Sequence, residues 1–212
     1  MSRRLPVYLV LDVSGSMHGE PIEAVRNGMQ TLVSTLRTDP YALETAFLSV
    51  ITFDGTAQQV TGLTDLMNFN PPDIEAGSTT SLGEALKVTK ACIDTEVQTT
   101  SAEVKGDWKP IVFLMTDGRP TDDWQAGLQE FKNARTGMVV ACAAGPHADT
   151  DVLKQITDDV VSLDTADTST IQAFFKWVSA SVTTASQKVD TAHSESSHLD
   201  ELPPPPPQVS LV

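Results

Sequence analysis

Apolar and polar positions alternate along this chain in two registers. Short, nearly continuous apolar runs of strand length are separated by longer segments with apolar residues every three or four positions. The runs are Leu5 to Leu11, Phe47 to Phe53, Ile111 to Met115, Met138 to Ala144 and Val160 to Leu163. Continuous runs of this kind predict strands buried on both faces of a parallel sheet. Between them, Ile22, Val25, Met29, Leu32 and Leu36 share one helical face after Pro21, and that helix is expected to stop at Asp39-Pro40.

Asp54-Gly55 is a hairpin signal, so Ala57 to Leu63 is predicted to return antiparallel as an edge strand, with Gln58 and Gln59 facing solvent. A helix is expected from about Leu82, where Ser81 and Glu84 have capping-box spacing. Further helical stripes include Trp124, Leu128 and Phe131, a short helix near Val152 to Ile156, and a last helix carrying Ile171, Phe174, Phe175, Val178 and Val182. The prediction is an α/β domain with a mostly parallel six-stranded sheet, one antiparallel edge strand and helices over it. The domain covers residues 1–186. The polar segment from Gln187 and the pentaproline Pro203 to Pro207 predict a disordered tail over 187–212, which is either a ligand for an aromatic-lined groove or a stiff spacer.

A length of 212 residues suits one domain. No apolar run approaches the roughly 18 residues of a membrane span, and Asp12 ends the first run too early for a signal peptide. Cys92 and Cys142 are the two cysteines, far apart and inside apolar stretches, which predicts inert buried thiols and a reducing, cytoplasmic setting. Acidic residues outnumber basic ones 28 to 14, for a formal charge of −14. Such a surface repels nucleic acid and accommodates a cation or a basic protein face more easily.

Chemistry concentrates in three segments expected on one rim of the sheet: Asp12-Val-Ser14-Gly-Ser16, Thr79-Thr80 and Thr116-Asp117-Gly118. Open α/β sheets bind ligands at that rim. Side chains at i and i+2 of a strand lie about 6.6 Å apart, whereas neighbouring ligands of one Mg²⁺ cannot be much more than about 4 Å apart. The Asp12 to Ser16 loop must therefore curl, and Gly15 permits that. Hydroxyls of Ser14, Ser16 and Thr80 with carboxylates of Asp12 and Asp117 form an all-oxygen set suited to Mg²⁺, Ca²⁺ or Mn²⁺. With hydroxyls bound directly and carboxylates partly through water, the ion keeps a position for an Asp or Glu carboxylate of a partner protein. His18 lies close by, but a loop histidine is ordinarily solvated.

In this order the three segments resemble the metal-ion-dependent adhesion site of von Willebrand factor A (VWA) domains, over residues 5–186. The resemblance implies a doubly wound, Rossmann-like sheet and a Mg²⁺-type site completed by a partner. Where the family has Gly-Gly-Thr, this chain has Gly77-Ser78-Thr79-Thr80. Either threonine can supply the hydroxyl, and Thr80, five residues before Ala85-Leu86, has the spacing the family favours. Arg4 to Asp12, Gly19 to Val25 and the proline-rich end before Val209 resemble a bacterial tellurite-resistance group within the family. That implies a stress-response adaptor working with a Ser/Thr kinase and a PP2C-type phosphatase. A Mg²⁺-dependent hydrolase with Asp12 as nucleophile is the competing reading. It lacks the second aspartate such chemistry needs, because Ser14 stands at that position.

Overall fold

Leu5–Asp12 forms β1, and all eight of its residues are buried, as the unbroken apolar run requires. The computed structural model describes residues 3–212. After β1 come α1 (Glu20–Leu36), α2 (Pro40–Thr45), β2 (Ala46–Phe53), β3 (Ala57–Asp65), α3 (Leu82–Glu96), β4 (Ile111–Thr116) and α4 (Trp124–Phe131). They are followed by β5 (Met138–Ala144), α5 (Thr150–Ile156), β6 (Val160–Leu163), α6 (Thr168–Gln187) and β7 (Val209–Leu211). The strands form one sheet in the order β3-β2-β1-β4-β5-β6-β7.

Strand periodicity divides the core into two layers. Leu5, Val7, Leu9 and Leu11 of β1 join Phe113 and Met115 against the α1 and α6 side, with Met29, Leu32, Phe174 and Phe175. Tyr8 and Val10 join Val112 and Leu114 on the other face, under Leu86, Leu128 and Leu153 of α3, α4 and α5. The sheet is thus doubly wound. β1 pairs in parallel with β2 on one side and with β4 on the other, and the chain reverses its direction of growth between them. That reversal opens a crevice at the carboxyl ends of β1 and β4.

Three expectations are corrected. The sheet has seven strands rather than six, and both of its edges are antiparallel, because β7 pairs with β6 as β3 does with β2. Residues 187–212 do not lie free. Val189, Leu202 and Val209 are buried, the Trp177 indole Nε1 donates to the Pro203 carbonyl at 2.8 Å, and Val209–Leu211 supplies the edge strand. Pentaproline cannot donate to a ladder, yet its carbonyls can accept, and apolar residues on either side of it bury enough surface to hold the strap. Gln59 also turns inward, donating to Glu96 and to the Ser49 hydroxyl. Glu96 further accepts from the Tyr8 hydroxyl and the Leu63 amide, which ties β3 to α3.

The caps differ in detail as well. Asp39 ends the first helical stretch but also caps α2, accepting from the Ala42 amide with Pro40 in the first helical position. Ser81 makes no side-chain cap on α3. Asp122 reaches across to accept from the Gly83 and Glu84 amides instead. This becomes possible because α3 and α4 cross at glycines: a Cβ at Gly127 would lie 2.2 Å from the Gly83 carbonyl oxygen. Gly127→Ala is expected to force the helices apart and to cost about 1–3 kcal/mol, the usual range for overpacking. Thermal or urea denaturation measures this, and an unchanged midpoint would contradict so close a crossing.

Candidate metal centre

The polar residues of the crevice are pinned by backbone before any side chain is considered. Beyond β1 the chain makes a single 3-10 turn, Gly15–Met17. This is the curl expected from ligand spacing. Gly15 serves it by close approach: its amide donates to the Ser78 carbonyl at 2.8 Å, and a Cβ there would lie 3.0 Å from that oxygen. The left-handed conformation falls on Gly19 instead, at φ 85°. The Gly77 amide donates back to the Val13 carbonyl, and the Ser81 amide to the Asp54 carbonyl. Thr80 and Thr121 bind reciprocally, the Thr80 amide to the Thr121 hydroxyl and the Thr121 amide to the Thr80 carbonyl.

On that frame four of the five predicted residues join one hydrogen-bonded chain. Asp12 accepts from the Ser14 amide at 2.8 Å through Oδ1 and from the Thr116 hydroxyl at 2.5 Å through Oδ2. The Ser14 and Ser16 hydroxyls lie 3.2 Å apart, and the Ser16 hydroxyl donates to Asp117 Oδ1 at 2.7 Å. The fifth, Thr80, is buried, with its Oγ1 3.4 Å from where a Gly118 Cβ would sit, on the Asp117 side of the crevice. Thr79 is exposed and its hydroxyl lies toward Gly55, at the β2–β3 turn. Of the two threonines, Thr80 is the buried one, with its hydroxyl beside Gly118, next to Asp117 in sequence.

Thr116 is the site residue that pattern reading missed. It sits in the predicted motif as a strand end, and only the β1–β4 pairing shows that its hydroxyl meets Asp12. Thr121 and Asp122 act as buttresses of Thr80 and α3.

Asp12 has no exposed surface and Asp117 little. Burial pushes the Asp12 carboxyl up to about 6, against the lowering effect of its Ser14 and Thr116 hydrogen bonds and with a further raising contribution from Asp117. Burial also raises Asp117, opposed by the Ser16 hydroxyl, its own backbone and His147. Among the described residues no group of three or more His, Cys, Asp or Glu side chains is placed to hold a metal. The donor set here is instead two carboxylates with three hydroxyls, which fits a hard divalent cation and not a thiolate or imidazole metal. Cys92 and Cys142 are free and buried, with the Cys92 thiol pushed up by burial to about 11.

The family model of the von Willebrand factor type A domain matches residues 7–177. Among solved structures, the chain is similar to proximal thread matrix protein 1 from the mussel byssus, at 18% identity and a TM-score of 0.62, over 84% of this chain and 48% of that one. Another crystal structure of that protein has a zinc-occupied metal-ion-dependent adhesion site. A von Willebrand factor type A protein from Catenulispora acidiphila gives 17% identity and a TM-score of 0.63, over 86% of this chain and 43% of that one. The pilus adhesin SpaC from Lactobacillus rhamnosus GG gives 17% and 0.67, over 86% and 30%. This chain therefore spans less than half the length of each. No curated protein matches the sequence.

Burial of Asp12 makes a signed prediction for metal-free protein. With an ordinary value of 3.8 raised to about 6 in the fold, both states are protonated below about pH 4 and burial of the group then adds no charge penalty. As pH rises from about 4 to 6 the unfolded chain loses its proton first, and above 6 the full cost of about 3 kcal/mol is present. Asp12→Asn in EDTA should therefore be more stable than wild type near pH 7, by up to about 3 kcal/mol, with the gain fading toward pH 4. Denaturation at the two pH values measures it, and a variant less stable at neutral pH would refute the charge penalty.

Proposed function

The chain belongs to the von Willebrand factor type A family, and from that premise we propose that it is a metal-dependent protein-binding module without catalytic activity of its own. Ser14, Ser16 and Thr80 would hold one hard divalent cation through their hydroxyls, with Asp12 and Asp117 as its carboxylate partners. Mg²⁺ is the first choice, and Ca²⁺ or Mn²⁺ share its preference for oxygen. The bound ion supplies a Lewis-acidic position for an Asp or Glu carboxylate of the partner.

One observation carries this reading: two nearly buried carboxylates and two serine hydroxyls are linked end to end across the ends of β1 and β4. A buried carboxylate pair costs stability unless a cation or hydrogen bonds compensate it. The zinc-occupied adhesion site of the byssus protein supports the reading, as does the adhesin role named for SpaC. Catalysis through Asp12 is disfavoured, since both of its carboxylate oxygens already accept hydrogen bonds and Ser14 replaces the needed acid.

The finer assignment is an adaptor in a bacterial tellurite-resistance (TerY-type) or stress-response system, cytoplasmic, with a Ser/Thr kinase and a PP2C-type phosphatase as partners. It rests on the segments Arg4 to Asp12 and Gly19 to Val25 and on the proline-rich end. No helix among the described residues is long and apolar enough to cross a membrane. The strap from Pro203 to Pro207, along α6 and β6, would add a second contact surface apart from the metal site.

Titration with Mn²⁺, followed by its spin resonance signal, should reveal one site weakened at least about tenfold by Ser14→Ala. Pull-down of the kinase and phosphatase should fail in EDTA, recover with Mg²⁺, and fail with Asp117→Ala. Capture that is unchanged in all these conditions would overturn metal-dependent binding. Phosphate release from an ester panel, lost on Asp12→Ala, would favour the hydrolase.

A further inference from the structure

The loops at the metal rim are 13–19, 54–56, 77–81, 117–123, 145–149 and 164–167, and Arg119 is the one Lys or Arg among them. The same loops carry Asp54, Asp117, Asp122, Asp123, Asp149, Asp164 and Asp167. A partner presenting a carboxylate to this rim therefore meets seven aspartates and a single Arg, on the 117–123 loop. Beside that loop a cleft of about 380 Å³ leads away from the site, between Ser16, Asp117 and Gly118 and the facing Arg119, Pro146 and His147.

Arg119 is held ready over the cleft. Asp149 caps α5 through Oδ1, accepting from the Val152 amide, while its Oδ2 lies 3.8 Å from Arg119 Nε. A guanidinium carries five N–H donors, the Asp149 contact at 3.8 Å is an ion pair rather than a hydrogen bond, and the side chain is 80% exposed, so its donors remain available to a ligand. His147 is also exposed.

Resting on the metal-dependent reading above, we propose that the cleft selects partners carrying two carboxylates, the first for the ion and the second, two residues away, for Arg119. In an extended peptide, side chains at i and i+2 share one face about 6.6 Å apart, and the cleft that carries Arg119 is lined at its other side by Ser16 and Asp117 of the proposed metal site. The partner epitope is then Asp/Glu-x-Asp/Glu on an extended segment, and the second carboxylate is what overcomes the repulsion of the surrounding aspartates.

Three blocked pentapeptides test this by calorimetry at saturating Mg²⁺: Gly-Asp-Gly-Asp-Gly, Gly-Asp-Gly-Asn-Gly and Gly-Asp-Gly-Lys-Gly. The first should bind roughly tenfold tighter than the second, with the third weakest, since one charge-assisted hydrogen bond is at stake. Arg119→Ala should erase the preference and Arg119→Glu should reverse it between the first and third peptides. Metal binding, read separately with Mn²⁺, should be retained in both variants. Equal affinity for the first two peptides, or a preference that survives Arg119→Ala, overturns the proposal while leaving the metal reading intact. If wild-type protein binds no Mn²⁺, the metal reading falls and the two-carboxylate proposal falls with it, whichever peptide Arg119 prefers.

Discussion

Asp12 ends β1 with no exposed surface, and its carboxylate is held by the Ser14 amide and the Thr116 hydroxyl, neither of which carries a charge. Hydrogen bonds of this kind satisfy lone pairs but leave the negative charge itself in a poorly polarisable setting, with Asp117 close by. The rest of the rim follows from that constraint. Strand β4 must lie beside β1 for Thr116 to reach Asp12, the 77–81 segment must be drawn in by Gly15 and Gly77, and Thr121 must fix Thr80. A divalent cation is the simplest neutraliser of such a pair, so the same geometry that costs the metal-free fold stability prepares the site for an ion.

Much of this was legible from residue order, because two periodicities carry it. Buried strands read as unbroken apolar runs, and alternation within β1 assigns Leu9 and Val10 to opposite layers. That Asp12, Ser14, Ser16 and Asp117 gather on one rim was legible because a doubly wound sheet opens its crevice where the winding reverses. What escaped was information held across the fold. That Thr116 bonds Asp12 depends on strand register, and that Asp122 caps α3 rather than its own helix depends on the Gly83–Gly127 crossing. Thr80 is chosen by its spacing to Ala85-Leu86, while the placement of its hydroxyl by Gly118 and that of Thr79 by Gly55 depends on how the 77–81 segment turns.

The carboxyl-terminal strap teaches a related lesson. Polar residues and a run of prolines predict chain without secondary structure, and the prolines themselves do stay out of the ladder. Yet Val189, Leu202 and Val209 are spaced so that each meets the body of the domain, and the Trp177 indole finds its acceptor in a proline carbonyl. Because β7 covers β6 as β3 covers β2, the parallel strands are flanked on both sides and the edges of the sheet fall on the two antiparallel strands. The strap lies along α6 and β6, while the ion site sits where β1 and β4 end, so each can be engaged without dismantling the other.

The central claim is that Ser14, Ser16 and Thr80 converge with Asp12 and Asp117 on a single cation. A crystal structure of the protein grown with Mn²⁺, with anomalous scattering collected to locate the metal, tests it most directly. The account predicts one strong peak at the ends of β1 and β4, within coordination distance of all three hydroxyls and with a coordination position facing the cleft. A peak elsewhere on the acidic surface, or a metal at the crevice with the Ser14 and Thr80 hydroxyls turned from it, would contradict it.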